Sequence, residues 1–90
     1  MAVMVTLTLR TDAQTYQELH EQLVAVAVPA GMLFHAAYER DGNERVVDSW
    51  PSAESFQAFL QGPAGEGMQA SGIPAPDDVE ITPVLNADGR

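Results

Sequence analysis

The stretch from Met32 to Trp50, Met-Leu-Phe-His-Ala-Ala-Tyr-Glu-Arg-Asp-Gly-Asn-Glu-Arg-Val-Val-Asp-Ser-Trp, constrains the fold more than any other part of the chain. Asp41-Gly42 lies between two runs of β-formers. That setting is a strong hairpin signal, because the tight turns that match strand twist need residues tolerant of positive φ. A two-residue loop fixes the pairing outward: Arg40 with Asn43, Ala37 with Val46, His35 with Asp48, and Leu33 with Trp50. Alternation along a strand places the last three pairs on one face. An imidazole then faces a carboxylate one pair away from an indole, a grouping capable of acid–base chemistry.

The flanking segments supply the other elements. Val3 to Arg10 alternates Val3, Val5, Leu7 and Leu9 with Met4, Thr6, Thr8 and Arg10, a period-two strand. Thr11-Asp12-Ala13-Gln14 fits a capping box that opens a helix running to about Val26, with Tyr16, Leu19, Leu23 and Val26 inward. Pro29-Ala30-Gly31 ends it. Pro51-Ser52 opens a second helix, with Ser52 as cap, Glu54 in the first turn, and Phe56, Phe59 and Leu60 on the core face. Gly62-Pro63 breaks that helix, and Ala64 to Ser71 reads as a loose further turn weakened by Gly65 and Gly67. Gly72 to Asp78 connects to a last strand over Val79 to Leu85, in which Pro83 points to a sheet edge. Asn86 to Arg90 is a polar tail.

The order is β-α-β-β-α-β over a single domain, residues 1–90, with an ordered core of about 3–85. That order is the α+β, ferredoxin-like arrangement: a four-stranded sheet in the order 4-1-3-2 with two helices on one face. The helix-covered face is expected to take Val5, Leu7, Phe34, Ala36, Val47 and Ile81. The opposite face is expected to carry Met4, Thr6, Thr8, Leu33, His35, Ala37, Val46, Asp48, Trp50, Thr82 and Val84. Tyr38 is expected toward the helices or beyond the sheet edge. An open face half apolar and bearing a tryptophan calls for a cover. A homodimer enclosing a pocket between sheet and partner follows as an expectation.

Composition limits the partners. The net charge is −9, with four arginines and no lysine. That balance disfavours nucleic acid and anionic lipid, both of which are bound through cationic groups. There is no cysteine, hence no disulfide, thiolate metal site or cysteine nucleophile. No run approaches the ~20 apolar residues that span a bilayer. The opening Met-Ala-Val-Met-Val lacks a basic leader region, so a cytoplasmic protein is expected. No P-loop, dinucleotide fingerprint or serine elbow occurs. A metal at His35 and Asp48 would need a third and fourth ligand, Glu80 shares their face only if the last strand alternates strictly, and no metal is expected.

With the element order and the segment Val-Val-Asp-Ser-Trp-Pro-Ser-Ala-Glu-Ser-Phe in view, residues from Val3 to about Leu85 resemble the dimeric α+β barrel superfamily. Within it they are most similar to the antibiotic-biosynthesis monooxygenase-like group and its uncharacterised small relatives. The resemblance implies a homodimer, and its members include cofactor-free oxygenases of polycyclic phenols, haem-degrading enzymes, lactone isomerases and proteins with no known reaction. In the oxygenases a tryptophan on the strand helps form the substrate pocket beside an amide. Trp50 matches that tryptophan, whereas Val46 and Asp48 stand where the amide would be. For haem only His20 and His35 could ligate iron, and His20 lies on the outer helix.

Two readings of the His35–Asp48 pair stay open. In one it is a catalytic dyad needing no cofactor: Asp48 orients the ring and His35 takes a proton from a small aromatic or polyketide-like molecule held by Trp50, Thr6, Thr8, Leu33 and Val46. The product anion could meet dioxygen directly, isomerise or cyclise. In the other the same residues only pack a ligand-binding or dimerisation module, since cross-strand opposite charges stabilise sheets by about 0.2–1 kcal/mol.

Overall fold

The computed structural model describes residues 1–72 and 75–86. The tail expected beyond Asn86, and Ile73-Pro74 of the last connection, lie outside the described residues. Seven elements follow in chain order: β1 (Val3–Leu9), α1 (Ala13–Ala27), β2 (Phe34–Arg40), β3 (Asn43–Trp50), α2 (Ala53–Gln61), α3 (Pro63–Ala70) and β4 (Asp77–Pro83). The four strands form one antiparallel sheet in the order β2-β3-β1-β4, which is the ferredoxin-like order expected, with β4 and its Pro83 at an edge.

The hairpin forms as its turn residues dictate. Asp41 (φ 55°) and Gly42 (φ 79°) both take positive φ, and Arg40 pairs with Asn43, Ala37 with Val46 and His35 with Asp48. Leu33 departs from the expectation. It lies before β2 and is 63% exposed, whereas Trp50 is fully buried. The β1–β4 ladder shifts register between Thr6 and Thr8, near Asp78 with its positive φ of 51°.

The helix caps differ in detail from the sequence reading. Asp12, not Thr11, caps α1, its carboxylate accepting from the Thr15 N–H at 2.7 Å. Ser52 caps α2 as expected, in a reciprocal box with Ser55. The segment from Pro63 to Ala70 is a true eight-residue helix rather than a loose turn. Proline at its first position is preorganised for a helix start, which offsets the poor propensity of the glycines that follow. Gly65 brings α3 hard against α2: a Cβ there would lie 2.1 Å from the Leu60 carbonyl oxygen.

Register decides which face the helices cover, and it reverses half of the expected allocation. Val3 pairs with Trp50, Val5 with Asp48, Leu7 with Val46 and Leu9 with Glu44. Paired residues share a face, so His35, Ala37, Val46, Asp48 and Trp50 lie with Val5 and Leu7 on the side facing the helices. Phe34, Ala36 and Val47 lie instead with Met4, Thr6, Thr8 and Thr82 on the outer side. Tyr38, paired with Arg45, also lies outside and is half exposed. The core is therefore one layer between sheet and helices: Val3, Val5, Leu7, Leu9, Val46 and Trp50 against Tyr16, Ala27, Met32, Phe56 and Phe59. Val26, expected inward, is partly exposed, and Ala27 takes the buried position at the end of α1.

Two glycines of α3 predict opposite effects of one substitution. Gly67→Ala meets nothing within 4 Å and is expected to stabilise the protein by about 0.5–1 kcal/mol through helix propensity. Gly65→Ala is expected to destabilise it, because the Leu60 backbone cannot yield without parting α3 from α2. Urea midpoints of the two variants that moved in the same direction would contradict this packing.

Candidate active site

The inward row of β3 reads Glu44, Val46, Asp48, Trp50, so two carboxylates enter an otherwise apolar layer. Asp48 has partners. His35, directly opposite on β2, places Nδ1 2.6 Å from Asp48 Oδ1, and both side chains are about nine-tenths buried. The Trp50 indole N–H, a long 3.5 Å from Asp48 Oδ2, covers the second oxygen. Trp50 itself is locked by Phe56 and Phe59, with ring centroids 5.7 and 5.1 Å away. Aromatic pairs of this kind contribute about 0.5–1.5 kcal/mol each beyond area burial.

The second imidazole nitrogen is occupied as well. Tyr16, reaching down from α1, hydrogen-bonds His35 Nε2 through its hydroxyl. An ionised Asp48 only accepts, so Nδ1 carries the imidazole proton and Nε2 accepts from the Tyr16 O–H. Burial, with the Asp48 and Glu44 carboxylates adding, holds the Tyr16 hydroxyl well above its ordinary pKa and keeps it the donor. His20, one turn beyond Tyr16 on α1, completes the aromatic group with its ring centroid 5.5 Å from that of His35 and 5.7 Å from that of Tyr16. The outer helix thus brings His20 beside the dyad.

His35 and Asp48 form part of the wall of a cavity of about 50 Å³ between sheet and helices. The rest of the wall is almost wholly apolar: Val46 and Leu7 from the sheet, Leu23 from α1, Phe56 and Phe59 from α2, Met68 from α3. The structure thus joins His35, Asp48 and Val46 at one cavity, inside a single chain rather than between sheet and partner. The other expected contacts do not reach it. Trp50 stands behind Phe56 and Phe59 and does not line the space. Thr6 and Thr8 point to the outer face, and Leu33 is exposed before β2. Tyr16 was legible in the sequence only as a core position, since nothing in the spacing of α1 announces that its hydroxyl meets His35. Glu80 pairs with Thr6 on the outer side, away from the dyad. Among the described residues no group of three His, Asp or Glu side chains is arranged to hold a metal ion.

Comparison with known proteins finds the fold but no closer kin. No protein family matches the chain, and no curated protein does. Solved structures do match over nearly the whole length. SnoaB, a cofactor-independent oxygenase from Streptomyces nogalater, is 10% identical with a TM-score of 0.71, covering 96% of this chain and 94% of that one. Rv0793 from Mycobacterium tuberculosis is 17% identical with a TM-score of 0.64, over 99% and 100% of the two chains. A candidate antibiotic biosynthesis monooxygenase from Chloroflexus aurantiacus J-10-fl is 18% identical with a TM-score of 0.59, over 99% and 98%. Two of these three neighbours are thus described as oxygenases or monooxygenases, and at these identities what this chain shares with them is the ferredoxin-like fold.

Glu44 differs from Asp48 at one oxygen: the residue is 4% exposed and its Oε1 has no hydrogen-bond partner among the described residues. Burial first, then the nearby Glu39 and Asp12 charges, push its carboxyl above the ordinary range. Folding therefore favours protonated Glu44, and stability falls as pH rises from the unfolded value through the higher folded one. Glu44→Gln is expected to stabilise the protein at neutral pH, the gain vanishing near and below the ordinary glutamate pKa of about 4.3. Urea denaturation across pH checks it; a gain that persists in acid would contradict the burial argument.

Proposed function

We propose that this protein is a cofactor-independent, monooxygenase-like enzyme that deprotonates a small aromatic substrate with His35, oriented by Asp48. The observation that carries the reading is a buried imidazole–carboxylate pair in the wall of an otherwise apolar cavity. The likeness in fold to SnoaB supports it. Apolar walls with a few placed polar groups are the usual make-up of small-molecule sites.

In this reading a substrate phenol or activated methylene takes the place of the Tyr16 hydroxyl at Nε2. His35 accepts its proton, and Asp48 stabilises the imidazolium. The electron-rich substrate anion then reduces dioxygen by one electron, and the two radicals join as a peroxide at the activated carbon. His35 returns the proton to the peroxide, and loss of water with the remaining C–H proton leaves a carbonyl. One CH₂ and one O₂ thus become one C=O and one H₂O, with the substrate supplying all the electrons. The reading includes a cytoplasmic homodimer joined through the outer sheet face, where Met4, Phe34 and Tyr38 stand exposed. No described helix is long and apolar enough to cross a membrane.

A second reading rests on a specific observation: both ring nitrogens of His35 already have partners. A dyad satisfied on both sides also suits a ligand-binding or dimerisation module with no chemistry. Oxidation of 1,8-dihydroxyanthrone to its anthraquinone, followed by absorbance and oxygen uptake, separates the two. The enzyme reading expects His35→Ala to lose about 10²–10⁴-fold in turnover with the oligomeric state unchanged. It also expects Tyr16→Phe, which frees Nε2, to retain turnover. Turnover no faster than the background reaction in the unsubstituted protein, or a His35→Ala variant as active as its parent, would favour the module.

A further inference from the structure

A space of about 50 Å³ holds a few water molecules, while sites for drug-sized ligands run to about 300–1,000 Å³. An aromatic substrate therefore does not fit beside His35 unless the wall moves. A second, open groove of about 260 Å³ lies on the outer side of the helices, between Gln22 and Val26 of α1 and Pro63, Gly67 and Ser71 of α3. Leu23 and Met68 are the side chains that the two spaces share.

We propose that Leu23 and Met68 are the gate of a substrate path, and that the outer groove is its vestibule for a small planar aromatic molecule. This rests on the proposed function for the destination of the path and adds its route. Three features support it. Met68 has an unbranched, flexible thioether side chain, which can swing aside at little cost. Helix α3 packs mainly on α2 and only lightly on α1, so the side of α3 facing the groove is the less restrained one. Gly65 anchors the start of α3 against the Leu60 carbonyl, leaving Met68 one turn further on at the free side. The chemistry of the occupant follows from the walls: Leu23, Val26, Pro63 and Met68 with the polar Gln22 and Ser71 in the vestibule, suited to a ring bearing hydroxyl groups, and Phe56 and Phe59 within. Opening joins the two spaces into one whose size reaches the range of small-molecule sites.

The single tryptophan provides the readout, because Trp50 packs on Phe56 and Phe59 of the inner wall. Quenching of its fluorescence by 1,8-dihydroxyanthraquinone in stopped flow gives association and dissociation rates without any turnover. A gate slows entry and exit alike, as expected where binding waits on a conformational change. Met68→Ala is expected to raise both rates by on the order of 10-fold, and Met68→Phe to lower both by a similar factor, with affinity changing much less. Circular dichroism confirms that each variant is folded, and the two substitutions act in opposite directions. Rates unchanged in both variants, a change confined to dissociation, or no quenching in either the parent or Met68→Ala would overturn the gate. Gate kinetics in a protein that does not oxidise 1,8-dihydroxyanthrone would leave the path standing and remove the oxygenase reading.

Discussion

The structure turns on a carboxylate buried beneath two helices. Asp48 sits in the inward row of β3 among valines and aromatic rings, where an unpaired charge is costly. Removing one partner of such a buried pair typically costs about 3–5 kcal/mol. His35 meets that cost only because the two-residue turn at Asp41-Gly42 sets it directly opposite. A slip of one residue in that ladder would turn the imidazole to the outer face and strand Asp48 in the core. Tyr16 and Trp50 then satisfy the atoms that the pair leaves over. Turn chemistry, register and polar satisfaction are thus a single constraint.

Much of this was legible from residue patterns, and the exceptions have identifiable causes. The hairpin follows from Asp-Gly, the edge strand from Pro83, and the start of α2 from Ser52. The face of the hairpin does not follow from hydrophobic pattern. One row of β3 reads Glu44, Val46, Asp48, Trp50 and the other Arg45, Val47, Ser49, and neither is clearly apolar. The deciding fact is the pairing of β3 with β1, whose inward row of Val3, Val5, Leu7 and Leu9 is unmistakable. Once Val5 opposes Asp48, the dyad has to lie under the helices. The cap of α1 moved from Thr11 to Asp12 because both are good cap residues at adjacent positions. Helix α3 is faint in the sequence because its glycines lower local propensity, while tertiary packing at Gly65 uses that lack of a side chain.

Placing the site inside one chain separates two roles that the sequence had merged. The inner face of the sheet holds the polar pair and the cavity, and the outer face keeps an apolar surface with Met4, Phe34 and Tyr38 exposed. Substitutions at the dyad and at the outer face can therefore be read independently. Within the site, Tyr16 marks the boundary between packing and chemistry. While its hydroxyl occupies Nε2 the imidazole is a structural group, and a substrate hydroxyl in the same position would make it a base. Displacing that hydroxyl would leave a buried polar group in need of a new partner, so Tyr16 holds the imidazole in its structural role.

The tautomer and partners of His35 test this account most directly. Imidazole nitrogen–proton correlation spectra of the folded protein report which ring nitrogen carries the proton and how fast it exchanges with water. The buried pair predicts a proton on Nδ1, shifted far downfield by the Asp48 carboxylate and slow to exchange, with Nε2 changing its nitrogen shift in Tyr16→Phe. A rapidly exchanging ring, or a proton resident on Nε2 alone, would contradict the interaction on which the rest of the structure depends.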